Sequence, residues 1–408
     1  MTEVIIIGAG PAGSALATLL AQRSIDTLLL DKATFPRKKI CGDYLSPGTI
    51  RLLDQLNLLR QVQAAGAQRL LGMTVTSPDG TTFRAEYPVT AVSNGERPYA
   101  LSIPRAILDS LLLNRARHWG VKCLEGFRVT DLIWAGGRVS GVKGIGPQGP
   151  ESYRARIVVG ADGRGSVLAR RLGLNQPHPR LRRMALVAYY EGASELRDHG
   201  LISIGNGSYC ILNPVGERLI NASIVMDQTS VLPWKGKLDE LYDHKLADFP
   251  PAMTALRGMR RHEPVRCLGP LAFRASRTSK AGALLIGDAS GFYDPFTGEG
   301  VFHALCSAEL AAQKIVSALA EGGLTATRLH RFDRQQRKAR ASKERVAATL
   351  QAIIRRPIAA NALARLLRRH QPLADLLLGV IGDLLPPRAL LSVEAMRALL
   401  QPRQTFIR

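Results

Sequence analysis

Three glycines near the start of the chain have the spacing that a bound dinucleotide requires. Gly8, Gly10 and Gly13 follow the apolar run 3–7 in the pattern G-x-G-x-x-G, and Pro11 starts the next segment. The run predicts a buried strand, and the proline predicts the first turn of a helix. In such a turn the first glycine bends the chain, the second lets a pyrophosphate approach the backbone, and the third packs helix on strand. The spacing therefore predicts a dinucleotide site.

Asp31 follows the third glycine at the distance in sequence that is typical of dinucleotide-binding folds. A second apolar run, 27–30, ends in Asp31, whose carboxylate can accept hydrogen bonds from a ribose. The helix N-terminus around Ala12 would supply free N–H groups and a positive dipole end for the phosphates. We also expect Lys32, next to the acid, to lie beside the dinucleotide.

Two later segments also place glycines and acids directly after short apolar runs. Residues 160–166 read G-A-D-G-R-G-S after the run 155–159. Residues 287–300 read G-D-A-S-G-F-Y-D-P-F-T-G-E-G after the run 283–286. Because short apolar runs bounded by glycine predict buried strands, both segments would begin where a strand ends.

Together with the K-I-C-G sequence at 39–42, these segments resemble the FAD-dependent oxidoreductases with the hydroxybenzoate-hydroxylase fold. The resemblance is greatest to the geranylgeranyl reductase-like branch of this superfamily, which also includes flavin monooxygenases and halogenases. It covers residues 2 to about 320. It implies resident FAD, and NAD(P)H as a transient reductant, because members of this superfamily typically take hydride from transiently bound NAD(P)H.

The resemblance also implies individual roles. It assigns Asp288 to the ribityl hydroxyls, Asp162 and Gly163 to the pyrophosphate, and Arg105 to a phosphate. A helix that begins near Gly298 would direct its N–H groups at the pyrimidine edge of the ring. The cofactor-binding residues predicted in this way are Gly8, Gly10, Pro11, Ala12, Gly13, Asp31, Lys32, Cys41, Gly42, Arg105, Asp162, Gly163, Gly287, Asp288, Pro295, Gly298, Gly300 and Val301.

Three residues are candidates for the chemical step. Tyr209 and Asn213 would be polar groups on an otherwise apolar strand that faces the flavin, or else a hairpin-end tyrosine and a turn asparagine. Cys41 could donate a proton to a reduced double bond, or else be a small buried thiol in a tight loop. Prenyl reductases carry Y-x-W-x-F-P on this strand, whereas this chain has Ile211 and Asn213 at the Trp and Phe positions. The W-x-W-x-I-P signature of flavin halogenases is missing.

The altered strand favours a monooxygenase, which would hydroxylate or epoxidise its substrate through a flavin C4a-hydroperoxide. Gly291 stands where related hydroxylases usually have histidine, which favours the alternative, NAD(P)H-dependent reduction of a prenyl-type C=C bond. The predicted substrate is a hydrophobic isoprenoid, polyketide or aromatic-lipid intermediate, either free or linked to a carrier or coenzyme A. A third hypothesis, from another class, is a non-catalytic flavoprotein that docks anionic partners through basic C-terminal helices.

The net charge and composition of the chain limit the classes of partner that it is expected to bind. The 408 residues carry a formal net charge of +22, and residues 328–369 contain thirteen Lys and Arg against two acids. Such a field favours a phosphorylated cofactor, an acidic carrier protein or anionic lipid over nucleic acid, unless it is simply a solvated basic face. Five scattered cysteines predict a reducing compartment and no metal site. With a buried strand at residue 3 and no long apolar run, we expect a cytoplasmic protein, at most peripheral at a membrane.

These residues have to be positioned by an α/β fold. We predict a Rossmann-like FAD-binding domain (1–70, 100–180 and 275–325), an inserted antiparallel-sheet substrate domain (71–99 and 181–274) and a helical C-terminal region (326–408). The patterns predict a hairpin over 70–87 and strands at 186–191, 201–204, 209–212 and 219–226. They predict helices at 47–59, 105–119, 237–249, 298–321 and about 325–356.

Overall fold

A computed structural model describes residues 2–89, 97–179, 181–216, 218–321 and 324–400. The strands are β1 (Thr2–Ile7), β2 (Thr27–Leu30), β3 (Tyr44–Leu45), β4 (Gln68–Leu70), β5 (Gly72–Thr76), β6 (Thr82–Glu86), β7 (Ala100–Ser102), β8 (Lys122–Leu124), β9 (Arg128–Ala135), β10 (Arg138–Gly146), β11 (Gly149–Gly160), β12 (Asn175–Pro177), β13 (Arg183–Glu191), β14 (His199–Ile204), β15 (Tyr209–Pro214), β16 (Leu219–Asp227), β17 (Arg260–Arg261), β18 (Arg266–Leu268), β19 (Phe273–Ala275), β20 (Ser279–Lys280), β21 (Ala283–Leu285) and β22 (Gly291–Phe292).

The α-helices are α1 (Pro11–Ala21), α2 (Pro47–Gln55), α3 (Leu59–Ala64), α4 (Arg105–His118), α5 (Val167–Arg171), α6 (Gln228–Val231), α7 (Leu238–Leu246), α8 (Pro250–Ala255), α9 (Gly300–Ala320), α10 (Ala326–Ile354), α11 (Pro357–Arg369), α12 (Gln371–Ile381) and α13 (Val393–Leu400).

The first large sheet holds the N-terminal glycine turn at its centre. Its strand order is β20-β21-β11-β1-β2-β8, and the β9–β10 hairpin continues from β11. The central pairs β21–β11, β11–β1, β1–β2 and β2–β8 are parallel. Helices α1, α4 and α9 bury an apolar cluster against one face, and a second cluster covers the other face. Burial on both faces explains why the strands are continuous apolar runs.

The second large sheet is mainly antiparallel. Its order is β17-β13-β16-β15-β14-β5-β6, with β18 also paired to β13. The hairpin β5–β6 joins it through a parallel pairing of β14 with β5. Helices α7 and α8 contribute to an apolar cluster with strands β13 to β16. Residues from the segments 71–99 and 181–274 therefore form one sheet, although a helical segment and the β9–β11 strands separate them in the chain.

The C-terminal helices cover the free edge of this second sheet. The carboxylate of Asp375 on α12 accepts the backbone N–H of Glu86 on β6 at 2.7 Å, and Asn361 on α11 accepts the N–H of Asp79 at 3.2 Å. A buried ion pair of 2.8 Å joins Lys343 on α10 to Asp383, just after α12. Pairing of an edge strand with polar groups of a neighbouring helix satisfies backbone groups that would otherwise be free.

The α/β fold class predicted from the sequence is confirmed, with differences in individual helices. The helix predicted over 47–59 is two helices, because the chain reverses at Asn57, which has a φ of +53°. The helix predicted over 237–249 ends at Leu246 and a further helix, α8, starts at Pro250. On α4, Ile107 is exposed, whereas Leu113 is buried. Within the described ranges, no helix is long and apolar enough to span a membrane.

Candidate active site

One cavity of about 1320 Å³ brings most of the predicted site residues together. It exceeds the roughly 300–1,000 Å³ of most small-molecule sites, so it has room for more than one ligand. The predicted residues that line it are Gly8, Gly10, Pro11, Ala12, Asp31, Lys32, Cys41, Gly42, Arg105, Asp162, Gly163, Asn213, Asp288, Pro295, Gly298, Gly300 and Val301. Gly13, Gly287 and Tyr209 do not line it. Gly13 and Gly287 instead pack behind the lining, against Gly8 and Ala12.

The N-terminal turn has the steric properties that the glycine spacing predicts. Gly8 has a φ of +102°, and a Cβ there would lie 2.6 Å from the carbonyl oxygen of Ala161. A Cβ on Gly13 would lie 1.8 Å from the carbonyl oxygen of Gly8. On Gly10 it would meet only the end of the Arg37 side chain, at 3.4 Å. The backbone at Gly10 is therefore open to the cavity, while the other two glycines close the turn.

Two acids lie beside this turn. The carboxylate of Asp31 accepts the N–H groups of Ala9 at 2.7 Å and Ala33 at 2.8 Å, which fixes it at the cavity wall. One oxygen of Asp162 accepts the N–H of Val167 at 2.6 Å, and the other oxygen is buried without a partner. Burial raises the pKa of Asp162, and backbone and serine donors oppose the rise. An unpartnered buried oxygen beside a glycine turn fits a ligand that brings hydroxyl groups.

The charged lining of the cavity is strongly positive. Burial lowers the pKa of Lys39, with a further lowering by Arg105 and Arg37. Asp288 opposes this effect and has its own pKa raised by burial. Three acids stand against nine basic residues in the lining; the basic residues are Lys32, Arg37, Lys38, Lys39, Arg105, Arg128, Arg164, Arg170 and Arg171. Crowded cations of this kind favour an anion such as a pyrophosphate.

The glycine-rich segment 287–300 ends at the start of α9, which faces the cavity. Gly298 has a φ of +67°, and a Cβ there would lie 2.5 Å from the ring of Tyr44. Gly300 and Val301 begin α9, and no side chain caps this helix terminus. The free N–H groups of the first turn and the helix dipole would stabilise negative charge on a ligand placed here. This placement agrees with the role that the resemblance gives to the segment.

The loop 39–42 is fastened to the second sheet by two asparagines. Asn213 on β15 donates to the carbonyl of Gly42 at 3.0 Å, and Asn221 on β16 donates to the carbonyl of Cys41 at 2.7 Å. Asn213 is thus a positioning residue for the loop that also lines the cavity. Burial raises the pKa of the Cys41 thiol, and the nearby Arg105 guanidinium opposes the rise. The thiol therefore stays protonated at neutral pH.

Asp43 is a central residue of this loop that the sequence reasoning missed. Its carboxylate accepts the backbone N–H of Arg105 at 3.1 Å, the side chain of Asn221 at 2.8 Å and the hydroxyl of Tyr189. Burial raises its pKa to about 6, against the effect of these donors. Asp43 directly follows the K-I-C-G sequence, but its partners on the second sheet are far away in the chain. No local pattern indicated them.

Tyr209 lies elsewhere than the sequence predicted. Its side chain is 0 % exposed, packs edge-on against Phe296 and donates its hydroxyl to Asp294 at 2.8 Å. The guanidinium of Arg183 lies over its ring. Although Tyr209 shares a face of β15 with the cavity-lining Ile211 and Asn213, it does not line the cavity as predicted, because it is buried against Phe296. It supports Phe296, which does line the cavity.

The rest of the cavity is an apolar chamber. The polar residues in this part of the described lining are Tyr44, Asn213 and Ser223, and it contains no charged side chain. The second sheet provides one wall and the helices α10, α11 and α12 provide the other. The apolar residues of these two walls are Met73, Val75, Phe83, Ala85, Ala185, Val187, Ile202, Ile204, Ile211, Val225, Leu268, Leu271, Leu350, Ile353, Ile354, Ala360, Leu363, Ala364, Leu367, Ala374, Leu377, Leu378 and Ile381.

A family model described as "FAD binding domain" matches residues 1–347 of the chain. The chain belongs to this family. The glycine turn, the positive lining and the open terminus of α9 fit FAD: Gly10 and Arg105 would hold its pyrophosphate, Asp31, Asp162 and Asp288 its hydroxyls, and Gly298 to Val301 its ring. The unpartnered oxygen of Asp162 favours a hydroxyl over the pyrophosphate that the resemblance assigns to it. When bound, FAD supplies the redox chemistry. In the described ranges, no group of three or more His, Cys, Asp or Glu residues is placed to hold a metal ion.

The relatives of this FAD-binding protein are named for different functions. It is 28 % identical over 347 residues to conditioned medium factor receptor 1 of Dictyostelium discoideum, a match that covers 81 % of this chain and 66 % of that protein. It is 29 % identical over 339 residues to the digeranylgeranylglycerophospholipid reductase of Methanosarcina mazei, which covers 80 % of this chain and 78 % of that one. The chain therefore spans just under two thirds of the first relative's length.

A solved structure shares the fold of this FAD-binding protein. The myxobacterial chondrochloren halogenase CndH aligns with a TM-score of 0.80 and 24 % identity. The alignment covers 85 % of this chain and 82 % of the halogenase. At this identity the likeness establishes the fold and leaves the reaction open.

Asp294 is a buried acid in the segment 287–300, and its burial leads to a prediction about the stability of the protein. One oxygen of Asp294 accepts from Tyr209, Gln351 and the N–H of Phe296, and the other is unpartnered. Burial raises its pKa from 3.8 to about 6. The native state thus holds this proton more tightly than the unfolded state, so stability falls as the pH rises from about 4 to about 6 and stays lower above it.

We expect Asp294→Asn to remove this penalty, because the amide oxygen keeps the accepted bonds without a buried charge. At pH 8 the free energy of unfolding should rise by up to about 3 kcal/mol, and at pH 4 it should change little. Thermal unfolding of both proteins at the two pH values measures the difference. A variant that is less stable than the parent at pH 8 would show that the charged carboxylate stabilises the native state.

Proposed function

We propose that this FAD-binding protein is an NAD(P)H-dependent oxidoreductase that reduces an isolated C=C bond in a hydrophobic, isoprenoid-like substrate. The observation that carries the proposal is one cavity that joins the residues predicted to bind FAD to an uncharged apolar chamber. A chamber with two aliphatic walls stabilises a nonpolar chain by removing its surface from water. The 29 %-identical relative is a digeranylgeranylglycerophospholipid reductase, which acts on a prenylated lipid, and this supports the proposed substrate class.

The position of Cys41 supports reduction over oxygen insertion. Reduction of a C=C bond requires a hydride at one carbon and a proton at the other. The Cys41 thiol lines the cavity beside the FAD-binding residues and remains protonated because burial raises its pKa. It can therefore supply the proton from Sγ, and Arg105 stabilises the thiolate until solvent reprotonates it. The two asparagines that hold the loop would keep Sγ in place during the transfer.

A second feature also supports reduction. Gly291, at the position where related hydroxylases usually have histidine, has a φ of +135°. A Cβ there would lie 3.0 Å from the guanidinium of Arg340, which is bonded to Ser290 at 3.0 Å. A histidine at this position would have to displace that arginine.

Monooxygenation, which the sequence favoured, is the second candidate. Its support is the altered strand, where Ile211 and Asn213 replace the aromatic residues of prenyl reductases. In the structure Ile211 forms part of the apolar wall and Asn213 holds the loop at Gly42. A water-poor chamber would also suit oxygen transfer, because it limits loss of the oxidant to solvent.

Oxygen dependence separates the candidates. The purified holoprotein is incubated with NAD(P)H and a polyprenyl lipid, with and without oxygen. We expect anaerobic turnover with one C=C bond saturated per NAD(P)H oxidised, detected by mass spectrometry of the lipid. Stoichiometric oxygen uptake with an oxygen atom in the product would establish monooxygenation instead. Absence of NAD(P)H oxidation with any lipid substrate would contradict both and favour a non-catalytic flavoprotein.

A further inference from the structure

Helix α11 has two faces with different environments. The inner face, at positions 360, 363, 364 and 367, lines the apolar chamber. The outer face, at positions 358, 362, 365, 366 and 369, is exposed, and the exposed Arg368 lies at its border. These two sets lie on opposite sides of a 3.6-residue helix. One helix therefore separates the chamber from the surroundings of the protein.

The outer face combines arginines with apolar side chains. Ile358 is 86 % exposed and Leu366 is 37 % exposed. Residues 345–374 contain six arginines and no acid. Arg355 and Arg365 reach acids on the second sheet, Asp227 at 3.2 Å and Asp79 at 2.6 Å.

Three other arginines are available to an outside partner. Arg356, Arg368 and Arg369 are exposed, and no acid in the described part of the chain lies within ion-pair distance of them. The side chain of Arg356, which directly precedes α11, makes only a long bond of 3.4 Å to the carbonyl of Ala352 near the end of α10. An exposed isoleucine among uncompensated arginines is typical of a helix that lies in the interface of a membrane.

We propose that the outer face of α11 binds the surface of an anionic membrane. The arginines would lie at the lipid headgroups, and Ile358 and Leu366 would enter the boundary with the acyl chains. A hydrophobic substrate could then pass between the bilayer and the chamber beside α11 without crossing water. This route for the substrate rests on the proposed function, whereas membrane binding itself does not.

Co-sedimentation with vesicles tests the surface directly. The holoprotein should bind vesicles of phosphatidylglycerol and not those of phosphatidylcholine, and salt should weaken the binding. The double variant Arg368→Gln, Arg369→Gln should lower the partition coefficient on phosphatidylglycerol by roughly tenfold or more. The matched control is Arg60→Gln, Arg154→Gln, which removes the same charge from exposed positions on α3 and β11. It should bind almost as the parent does.

Depth of insertion provides a second readout. A tryptophan introduced by Ile358→Trp should shift its fluorescence to shorter wavelength on phosphatidylglycerol vesicles and be quenched by lipids with brominated acyl chains. Failure of the parent to bind these vesicles would overturn the proposal, as would equal losses in the α11 and control variants. Arginine-dependent binding to an acidic carrier protein, without vesicle binding, would assign the surface to that partner.

Catalysis distinguishes the route from the proposed function. The α11 double variant should turn over a polyprenyl lipid in detergent at the parental rate and fall behind when the lipid is embedded in phosphatidylglycerol vesicles. Equal rates in both media would overturn the route while leaving reduction intact. Absence of turnover by the parent in detergent would contradict the proposed function and leave the vesicle-binding result unaffected.

Discussion

Gly13→Ala is expected to yield a protein that purifies without FAD. The added methyl carbon would lie 1.8 Å from the carbonyl oxygen of Gly8, and the carbonyl carbon would be only 3.0 Å away. Both atoms belong to the turn itself, so no flexible side chain can move to relieve the overlap. Overpacking of an interior costs about 1–3 kcal/mol even where neighbours can adjust. We expect a loss of at least about 3 kcal/mol in the free energy of unfolding, measured by denaturant titration, and no flavin absorbance.

Two further alanine substitutions separate misfolding from loss of the ligand. Gly10→Ala places its methyl group in the cavity, 3.4 Å from a flexible arginine, so the fold should persist while affinity for FAD falls roughly tenfold or more. Gly165→Ala also changes a cavity-lining glycine, but nothing lies within 4 Å of the new carbon. This control should retain FAD and parental stability. Full FAD content in Gly13→Ala would mean that the turn can rearrange, and would remove the steric argument for the fingerprint.

The parts of the site that the sequence predicted are those set by local geometry. The glycine turn depends on contacts among Gly8, Gly10 and Gly13, and its strand and helix are adjacent in the chain. The acids that follow strands, Asp31 and Asp288, reach the same edge because parallel strands end together. For these residues the spacing in the chain carries most of the spatial information. The structure therefore places all of them in or directly behind one cavity wall.

The parts that the sequence missed depend on contacts between distant segments. Asp43 acquires its importance from Tyr189 and Asn221, which the second sheet brings to it. Tyr209 shares a face of β15 with Ile211 and Asn213, which do line the cavity, but Phe296, from a distant segment of the chain, packs against its ring and takes its place in the lining. The sequence predicted a helical C-terminal region at 326–408, but not that the inner face of α11 lines the apolar chamber. Periodicity identifies an apolar face and does not identify what covers it.

Cys41→Ala is expected to lower kcat for lipid reduction by about 100-fold or more, the usual effect of removing a general acid. The substitution deletes the only thiol in the described lining of the cavity and leaves the apolar walls intact, so KM for the lipid should change little. Reduction of the bound flavin by NAD(P)H, followed by stopped-flow absorbance, should proceed at the parental rate. If Cys41 is the proton donor, the variant should be slow only in reducing the lipid and not in reducing the flavin. A purely structural cysteine would not restrict the defect to that step.

The pH dependence of kcat tests whether the thiol of Cys41 is the proton donor. Burial raises the pKa of Cys41 above its ordinary value of 9.0, so parental kcat should stay constant through neutral pH and decline only in the alkaline range. Cys41→Ser keeps the size of the side chain but offers a far weaker acid, so it should recover little activity and lose that alkaline decline. Cys267→Ala removes a half-buried thiol that does not line the cavity and should leave both profiles unchanged. Parental turnover in Cys41→Ala would exclude the thiol as the donor and would assign the proton to another source.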